Sequence, residues 1–186
     1  MTVAPSQYER IDNEKYFTPI WVTQALLSAE EFTGGIWDPF AGDGRILAAL
    51  PPEMACYGSD IAPDADGLKA LDFFDVKAGS VWPNIVSNPP YGVGSRLAVR
   101  CIEHALELTR PLGGKVAMLL KVGFDSADGR RHLFQQHPAF AAEYRLTKRI
   151  RWTNFVQSAA GPTENHSWMV WDWRKRGGPA VKGYLP

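Results

Sequence analysis

Short apolar runs alternate with helix-like segments along most of the chain, and this alternation limits the possible folds more than any other feature. Strands are predicted at 34–39, 55–60, 81–88, 115–124, 144–152 and 167–173, with a further strand or its stub near 74. Helices are predicted around 44–51, 64–74, 94–110 and 129–137. Strands and helices that alternate in this way pack as a parallel sheet covered by helices on both faces. The sequence therefore predicts an α/β fold.

Length and composition are typical of one globular domain and exclude several classes of protein. The 186 residues suffice for one hydrophobic core. Cys56 and Cys101 are too few for a disulfide framework, and they have no metal-ligand spacing. No apolar run approaches the roughly 20 residues of a membrane span, and the polar N-terminus does not resemble a signal peptide. We expect a single cytoplasmic domain over 1–186, with no metal site and no membrane contact, and with a flexible tail at 174–186.

The charges are divided unequally between the two halves of the chain. Residues 1–109 contain 7 Lys and Arg against 15 Asp and Glu, whereas residues 110–186 contain 13 against 5. A basic second half favours a polyanionic partner, of which nucleic acid is the most common. The alternative is a basic surface that serves only to keep the protein solvated.

The loop after the first predicted strand, "DPFAGDG" (38–44), has the character of a ligand loop. Ligands of parallel sheets bind beyond the carboxyl ends of the strands. Gly42 and Gly44 permit a tight turn, and backbone N–H groups at the start of the next helix favour an anionic group. A dinucleotide fingerprint fails because Leu47 stands where it requires glycine. The other interpretation is a loop for S-adenosylmethionine, with Asp38 and Asp43 near the amino group of that ligand.

Two further acidic positions follow predicted strands. Asp60, 22 residues after Asp38, can accept both hydroxyls of a ribose, and Ile61 can lie against an adenine face. The alternative for Asp60 is a helix cap or turn. Asp72 can bond an adenine amino group while Phe73 packs on the ring, although Phe73 could instead belong to the core.

The loop "SNPPYG" (87–92) follows the fourth predicted strand. Pro89 and Pro90 forbid a helix and remove two backbone donors. The Asn88 side-chain carbonyl and the Pro89 backbone carbonyl are then two fixed acceptors, which suit a planar NH2 group. Tyr91 adds a ring on which a flat base can stack. The alternative is an ordinary proline turn.

Together these motifs resemble the S-adenosylmethionine-dependent amino-methyltransferases, most closely the adenine-N6 DNA methyltransferases, over about residues 14–124. "NPPY" resembles their catalytic motif, and "YFTP" (16–19) resembles the segment that covers the methionine end of the cofactor. The resemblance implies a Rossmann-like class I methyltransferase fold with a mostly parallel seven-stranded sheet and a cofactor-covering segment at 1–30. The implied catalytic residues are Asn88, Pro89, Pro90 and Tyr91. The implied cofactor-binding residues are Tyr16, Thr18, Pro19, Asp38, Pro39, Phe40, Ala41, Gly42, Asp43, Gly44, Asp60, Ile61, Asp72, Phe73 and Asn88.

The chain departs from larger members of that family at its C-terminal end. About 60 residues follow the fifth predicted strand, so we expect no separate target-recognition domain. Specificity would then be short, loose or supplied by a partner or a second copy. The predicted contacts to nucleic acid, besides Tyr91, are Arg130, Arg131, Trp152 and Phe155, with burial or loop packing as the alternative for the two aromatic residues.

The sequence leaves other substrates and other functions open. The acceptor amine could belong to an RNA adenine, to guanine N2 or to a protein glutamine, although the basic second half favours nucleic acid. The resemblance to the adenine-N6 DNA methyltransferases implies DNA rather than RNA. A non-catalytic nucleic-acid-binding subunit is disfavoured by the intact 88–91 motif. A nicotinamide dehydrogenase is disfavoured by Leu47 and by the lack of a hydride-transfer site.

Overall fold

The computed structural model describes residues 16–79, 82–152, 162–175 and 177–186. Three α-helices occur in this part of the chain: α1 (Ile20–Leu27), α2 (Arg45–Ala48) and α3 (Arg96–Thr109). Eight strands form one sheet: β1 (Ile36–Asp38), β2 (Cys56–Asp60), β3 (Lys69–Ala70), β4 (Asn84–Ser87), β5 (Lys115–Lys121), β6 (Phe140–Leu146), β7 (His166–Asp172) and β8 (Val181–Leu185).

The strand order explains why several loops meet at one edge of the sheet. The order is β3-β2-β1-β4-β5-β7-β6-β8, and every neighbouring pair is parallel except the two pairs that contain β7. From β1 the chain continues outward through β2 to β3, and it then returns to the other side of β1 to form β4. The order in which strands are added to the sheet therefore reverses at β1. The loops after β1, β2 and β4 therefore leave from one edge, at the point where such sheets bind ligands.

Alternate residues of the central strands pack into two separate hydrophobic layers. On one face, Ile85 and Met118 join a cluster with the buried side of α3. On the other face, Val86 and Leu119 join a cluster that contains the buried side chains of α1 and α2. The strands are therefore buried on both sides, as a parallel sheet requires. The predicted α/β architecture with helices on both faces is confirmed.

The sheet has eight strands rather than the seven that we predicted. The additional strand, β8, lies in the region 174–186 that we predicted as a flexible tail, and that prediction is wrong for residues 181–185. β8 pairs in parallel with β6, and Leu185 is buried beside Leu146. Gly183 makes this pairing possible, because a Cβ there would lie 2.7 Å from the Tyr144 ring. The strand covers backbone groups of β6 that would otherwise form an exposed edge.

Two predicted helices are absent, and one helix was not predicted. Residues 64–68 form bends and turns, since Gly67 adopts a φ of 84° that a right-handed helix does not allow. The region 129–137 contains only turns and the end of a 3₁₀ turn, Asp128–Arg130. The unpredicted helix is α1, which begins directly after Pro19. None of the helices in the described ranges has the length and apolar character that crossing a membrane requires.

Candidate active site

A cleft lies at the sheet edge where β1, β2 and β4 end. Ten of the predicted cofactor-binding residues line it: Tyr16, Thr18, Asp38, Phe40, Ala41, Gly42, Asp43, Asp60, Ile61 and Asn88. Pro90, which we predicted as a catalytic residue, also lines it, together with three residues that we did not predict: Phe17, Arg45 and Ile46. The tertiary structure thus brings together three loops and the 16–18 segment, which are far apart in the sequence.

The loop after β1 takes its shape from two glycines. Gly42 and Gly44 have φ values of 53° and 83°, in the left-handed region that favours glycine. A Cβ at Gly42 would also approach the Phe17 ring to 3.2 Å, so the missing side chain lets the N-terminal segment close over the loop. The helix that follows, α2, has only four residues, shorter than predicted. It adds little helix dipole, so the polar character of this loop comes from its own backbone and carboxylates.

Asp38 is a buried carboxyl group with one satisfied oxygen. Its Oδ1 accepts hydrogen bonds from the Ser87 hydroxyl and from the Phe40 N–H. Its Oδ2 is buried and has no hydrogen-bond partner among the described residues. Burial, with a smaller contribution from the charge of Asp60, raises the pKa of Asp38 to about 7, although the hydrogen bonds from Ser87 and Phe40 oppose the shift. A cationic ligand group in the cleft would complete this site, because a charge beside Oδ2 would favour the ionised carboxylate.

Asp60 ties the first two loops together. Its Oδ2 accepts from the Gly42 N–H at 3.0 Å, and its Oδ1 accepts from the Ala62 N–H at 2.9 Å. An ionised carboxylate has about four lone-pair sites, so two remain for a pair of hydroxyl groups. Ile61 is 67 % exposed although it is apolar, which leaves its side chain available to a flat ligand. Both positions are therefore compatible with the predicted nucleoside contacts.

Asp72 and Phe73 do not line the cleft. Phe73 is 3 % exposed, and its ring packs in the core against Trp37 and Phe40. The predicted adenine contact of Phe73 is wrong, because its ring faces the core and leaves no surface for a ligand. Asp72 instead accepts a hydrogen bond from the Phe74 N–H at 2.9 Å and so caps the short 3₁₀ turn Phe73–Asp75. Pro19, Pro39 and Gly44 are also absent from the lining.

Asn88 lies at the floor of the cleft with its amide group oriented by the N-terminal segment. Its Nδ2 donates to the Tyr16 carbonyl oxygen at 3.0 Å and to the Thr18 hydroxyl at 3.2 Å. Both N–H groups of the amide are thereby used, and Oδ1 is the group that remains as an acceptor. The amide nitrogen and oxygen are distinguished by these partners, since only the nitrogen can donate.

The remaining residues of the 88–91 motif hold this corner in place. Pro89 is buried, whereas Pro90 lines the cleft. The hydroxyl of Tyr91 accepts a hydrogen bond from the Lys121 N–H at 2.7 Å, which ties the loop after β4 to the end of β5. The Lys121 ammonium lies 5.4 Å from the centre of the Tyr91 ring. The orientation of Tyr91 is therefore set by β5, while the roles of Pro89 and Tyr91 toward a substrate stay predictions.

The predicted nucleic-acid contacts occupy different environments. Arg130 donates to the Phe124 and Gly94 carbonyl oxygens, at 2.9 Å and 3.5 Å, and its guanidinium lies over the Phe124 ring. Arg131 pairs with Asp128, which offsets its charge. Trp152 is half-buried, in edge contact with Tyr16, so it lies close to the cleft. Phe155 falls outside the described residues.

The residues that we missed carry a weak sequence signal. Phe17 stands between Tyr16 and Thr18, and Arg45 follows Gly44 directly, so both could have been included as neighbours of predicted residues. Arg45 pairs with Asp43 at 2.7 Å, and its guanidinium lies 5.8 Å from the centre of the Phe17 ring. Such a contact joins segments that are distant in sequence, and no local pattern specifies it. Among the described residues, no group of three or more histidine, cysteine or acidic side chains could hold a metal ion.

Comparison with known proteins gives a fold but no sequence relative. No family model matches the chain, and no curated protein matches it. Among solved structures, the chain is similar to a Listeria monocytogenes protein assigned to the class I S-adenosylmethionine-dependent methyltransferases, with a TM-score of 0.58, 13% identity, and coverage of 89% of this chain and 63% of that one.

Two further structures are similar at comparable levels. The M protein of the type I restriction enzyme EcoKI matches with a TM-score of 0.55 and 14% identity, over 85% of this chain and 44% of that one. The T. thermophilus 16S rRNA N2 G1207 methyltransferase, solved with AdoMet and guanosine, matches with a TM-score of 0.53 and 18% identity, over 85% and 40%. The chain thus spans between 40% and 63% of the length of these three proteins. We conclude that this chain has the fold of the class I S-adenosylmethionine-dependent methyltransferases.

Proposed function

We propose that the protein binds S-adenosylmethionine and transfers its methyl group to an exocyclic amine, first of all the N6 amine of adenine in DNA. The observation that carries the proposal is the orientation of Asn88. Its two amide hydrogens are used by Tyr16 and Thr18, so its carbonyl oxygen is left to accept from an amine in the cleft.

The cofactor fits the groups that line the cleft. The buried Oδ2 of Asp38 lacks a partner among the described residues, and an amino-acid ammonium group would supply one. Asp60 has lone pairs left for ribose hydroxyls, and the exposed side chain of Ile61 offers an apolar surface for adenine. When bound, the cofactor supplies a methyl group that its sulfonium sulfur has already activated, so the protein needs no metal ion for this chemistry.

The amine is the reactant that the protein has to prepare. An exocyclic amine of a base is a poor nucleophile, because its lone pair is delocalised into the ring. Asn88 Oδ1 and the Pro89 carbonyl oxygen would accept its two N–H groups, which localises that lone pair and stabilises the positive charge that develops on nitrogen. Holding the amine in line contributes on the order of 7–11 kcal/mol toward the barrier. The proton that the nitrogen releases passes to solvent.

A base inside a duplex has to leave the stack to reach this cleft. Extruding the base costs a few kcal/mol, and stacking on an aromatic ring returns about 1–3 kcal/mol. Tyr91 is the ring that we assign to this contact, since its hydroxyl is tied to β5 and its ring belongs to the same loop as Asn88. The basic second half of the chain supports a nucleic-acid substrate.

Two of the similar structures bear on the choice between DNA and RNA. The similarity to the EcoKI M protein favours DNA and a partner that supplies specificity. The similarity to the rRNA guanine-N2 methyltransferase favours an RNA base as the second candidate.

The test is methyl transfer from labelled S-adenosylmethionine to double-stranded DNA, single-stranded DNA, RNA and protein in parallel, followed by nucleoside analysis. We expect N6-methyl-2′-deoxyadenosine from a DNA substrate. Label in an RNA nucleoside or in a protein amide would replace the substrate assignment. Absence of cofactor binding in calorimetry would overturn the enzyme assignment itself.

A further inference from the structure

We propose that a groove lined by Trp21, Lys148, Arg149 and Arg151 binds the phosphodiester backbone of the nucleic-acid strand that carries the target base. This groove, which we call the basic groove, is also lined by Thr147, Pro162 and Asn165. The inference rests on the proposed function, and it replaces Arg131 as a main electrostatic contact.

The basic groove opens on the same edge of the sheet as Asn88. β6 ends at Leu146. β4 and β5 are parallel, and β5 and β6 are both antiparallel to β7, so β6 runs in the same direction as β4. Residues 147–151 therefore leave the sheet at the edge where Asn88 follows β4. Three strand spacings separate β4 from β6, which is roughly 14 Å. That distance corresponds to roughly four nucleotides of a stacked strand.

Contacts between side chains connect the basic groove to the cleft. Trp152 directly follows Arg151, and its ring centroid lies 5.3 Å from that of Tyr16. The Tyr16 carbonyl oxygen in turn accepts a hydrogen bond from Asn88. A strand that places a base beside Asn88 could thus continue past Trp152 into the basic groove without leaving the protein surface.

Lys148 and Arg149, two cations of the basic groove, are held by neutral groups, so they keep their charge for a ligand. The Lys148 ammonium lies over the Trp21 ring, 4.9 Å from its centre. Arg149 donates to Asn165 Oδ1 at 3.0 Å and to the Pro162 carbonyl oxygen at 3.3 Å. Neither Lys148 nor Arg149 forms an ion pair with a carboxylate of the described ranges, and both are exposed.

This environment differs from that of Arg131, one of the two arginines that we predicted from the sequence. Arg131 lies 3.4 Å from the Asp128 carboxylate, so a phosphate would have to compete with an existing ion pair. Fixed cations without a neutralising carboxylate give a stronger field for phosphates. A guanidinium that is already oriented also loses less conformational freedom when it binds.

The experiment measures the binding of fluorescently labelled 12-nucleotide single-stranded DNA and RNA by anisotropy at several salt concentrations. The variants are Lys148→Gln, Arg149→Gln and the double variant, with Arg110→Gln as the matched control. Arg110 is also an exposed cation over a tryptophan ring, 5.5 Å from the centre of Trp173, but it lies at the opposite edge of the sheet, where α3 ends before β5 begins. Thermal unfolding of each variant checks that the fold is retained.

Each phosphate contact that is removed should reduce the slope of log K against log salt by about 0.7 for a single strand. We expect a reduction of roughly 1.4 in the double variant and none in Arg110→Gln. Comparison of the DNA and RNA slopes then identifies which strand the groove prefers. An unchanged slope in the folded double variant, or no binding of either strand by the wild-type protein, would overturn the assignment of the groove as a phosphate-binding site.

Methyl transfer to the same oligonucleotides, measured in parallel, separates this proposal from the proposed function. If methyl transfer occurs while the double variant keeps the wild-type slope, the binding role of the groove is wrong and the methyltransferase assignment stands. If the slope falls but none of the four substrates of the transfer assay (double-stranded DNA, single-stranded DNA, RNA and protein) acquires label, the groove binds nucleic acid and the assignment of the reaction is wrong.

Discussion

The Ser87 hydroxyl donates a hydrogen bond to Asp38 Oδ1 over 2.5 Å, and this bond joins the end of β4 to the end of β1. Ser87 directly precedes Asn88, and Asp38 begins the loop that we assign to the cofactor. The two halves of the candidate site are therefore linked through a buried pair of side chains. A change in the ionisation of Asp38 therefore alters a hydrogen bond to Ser87, directly before the loop that we assign to the acceptor amine.

Asp38→Asn tests the raised pKa of Asp38. An ordinary aspartate titrates near 3.8, and burial raises the pKa of Asp38 to about 7 in the folded protein. The folded state therefore holds the Asp38 proton more tightly than the unfolded chain does. The contribution of this protonation to the free energy of unfolding is fully present below pH 3.8 and is lost as the pH rises to about 7. We expect Asp38→Asn to be more stable than wild type by a few kcal/mol above pH 7 and by little near pH 4. Denaturant unfolding between pH 4 and 8 measures this, and a difference that does not change with pH would contradict it.

Asn88→Ala tests the acceptor that we place beside the amine. The substitution removes Oδ1, so methyl transfer should fall by at least about 10²-fold, as for other preorganised groups that stabilise developing charge. Cofactor affinity should stay within a few-fold of wild type, because Asp38 and Asp60 are unchanged. Single-turnover assays measure the expected loss of methyl transfer, and calorimetry with S-adenosylmethionine measures the cofactor affinity. Retained turnover would remove the catalytic assignment of Asn88.

Thr18→Val tests whether the N-terminal segment orients Asn88. Thr18 is buried, and its hydroxyl oxygen accepts from Asn88 Nδ2 at 3.2 Å, so the variant frees one amide hydrogen and lets the amide rotate. We expect kcat to fall several-fold with KM for the acceptor little changed, since one hydrogen bond of about 1 kcal/mol is lost. Thr18→Ser keeps the hydroxyl and should restore kcat. Equal kcat values for the two variants would show that the hydroxyl does not position Asn88.

Asp60→Ala tests the contact between the loops after β1 and β2. The substitution removes the acceptor for the Gly42 and Ala62 N–H groups as well as the proposed ribose contact. We expect cofactor affinity to fall at least tenfold, which calorimetry measures. Asp66→Ala is the matched control, because Asp66 is exposed in the same connection and does not line the cleft. Unchanged affinity in Asp60→Ala would rule out the ribose assignment.

Tyr91→Phe and Tyr91→Ala separate the two contributions of this tyrosine. Tyr91→Phe keeps the ring but leaves the Lys121 N–H without its acceptor, so the free energy of unfolding should fall by about 1–3 kcal/mol. Tyr91→Ala also loses the ring, which should weaken the binding of a substrate base by about a further 1–3 kcal/mol. Chemical denaturation and oligonucleotide binding measure the two effects. Equal binding by the two variants would remove the stacking role.

Local patterns were sufficient to predict the main architecture and most of the cleft. The alternation of apolar runs with helix-like segments, and the loops "DPFAGDG", "SD" and "NPPY", are each encoded within a few neighbouring residues. The left-handed Gly42 and Gly44 and the orientation of the Asn88 amide agree with those predictions. Phe73 was misassigned because a buried core ring and a ring over a ligand have the same local pattern.

Local patterns were enough to specify the parallel sheet and the positions of the polar loops, since the spacing of apolar residues and the backbone limits of glycine and proline act over a few residues. Which loops meet depends on long-range packing, because the chain returns from β3 to the opposite side of β1 and so places Asp38, Asp60 and Asn88 at one edge. The same is true of β8, which forms only because β6 offers it a free edge, and of the raised pKa of Asp38, which depends on burial by distant segments. Contacts between segments far apart in the sequence set these features, and no local pattern records them.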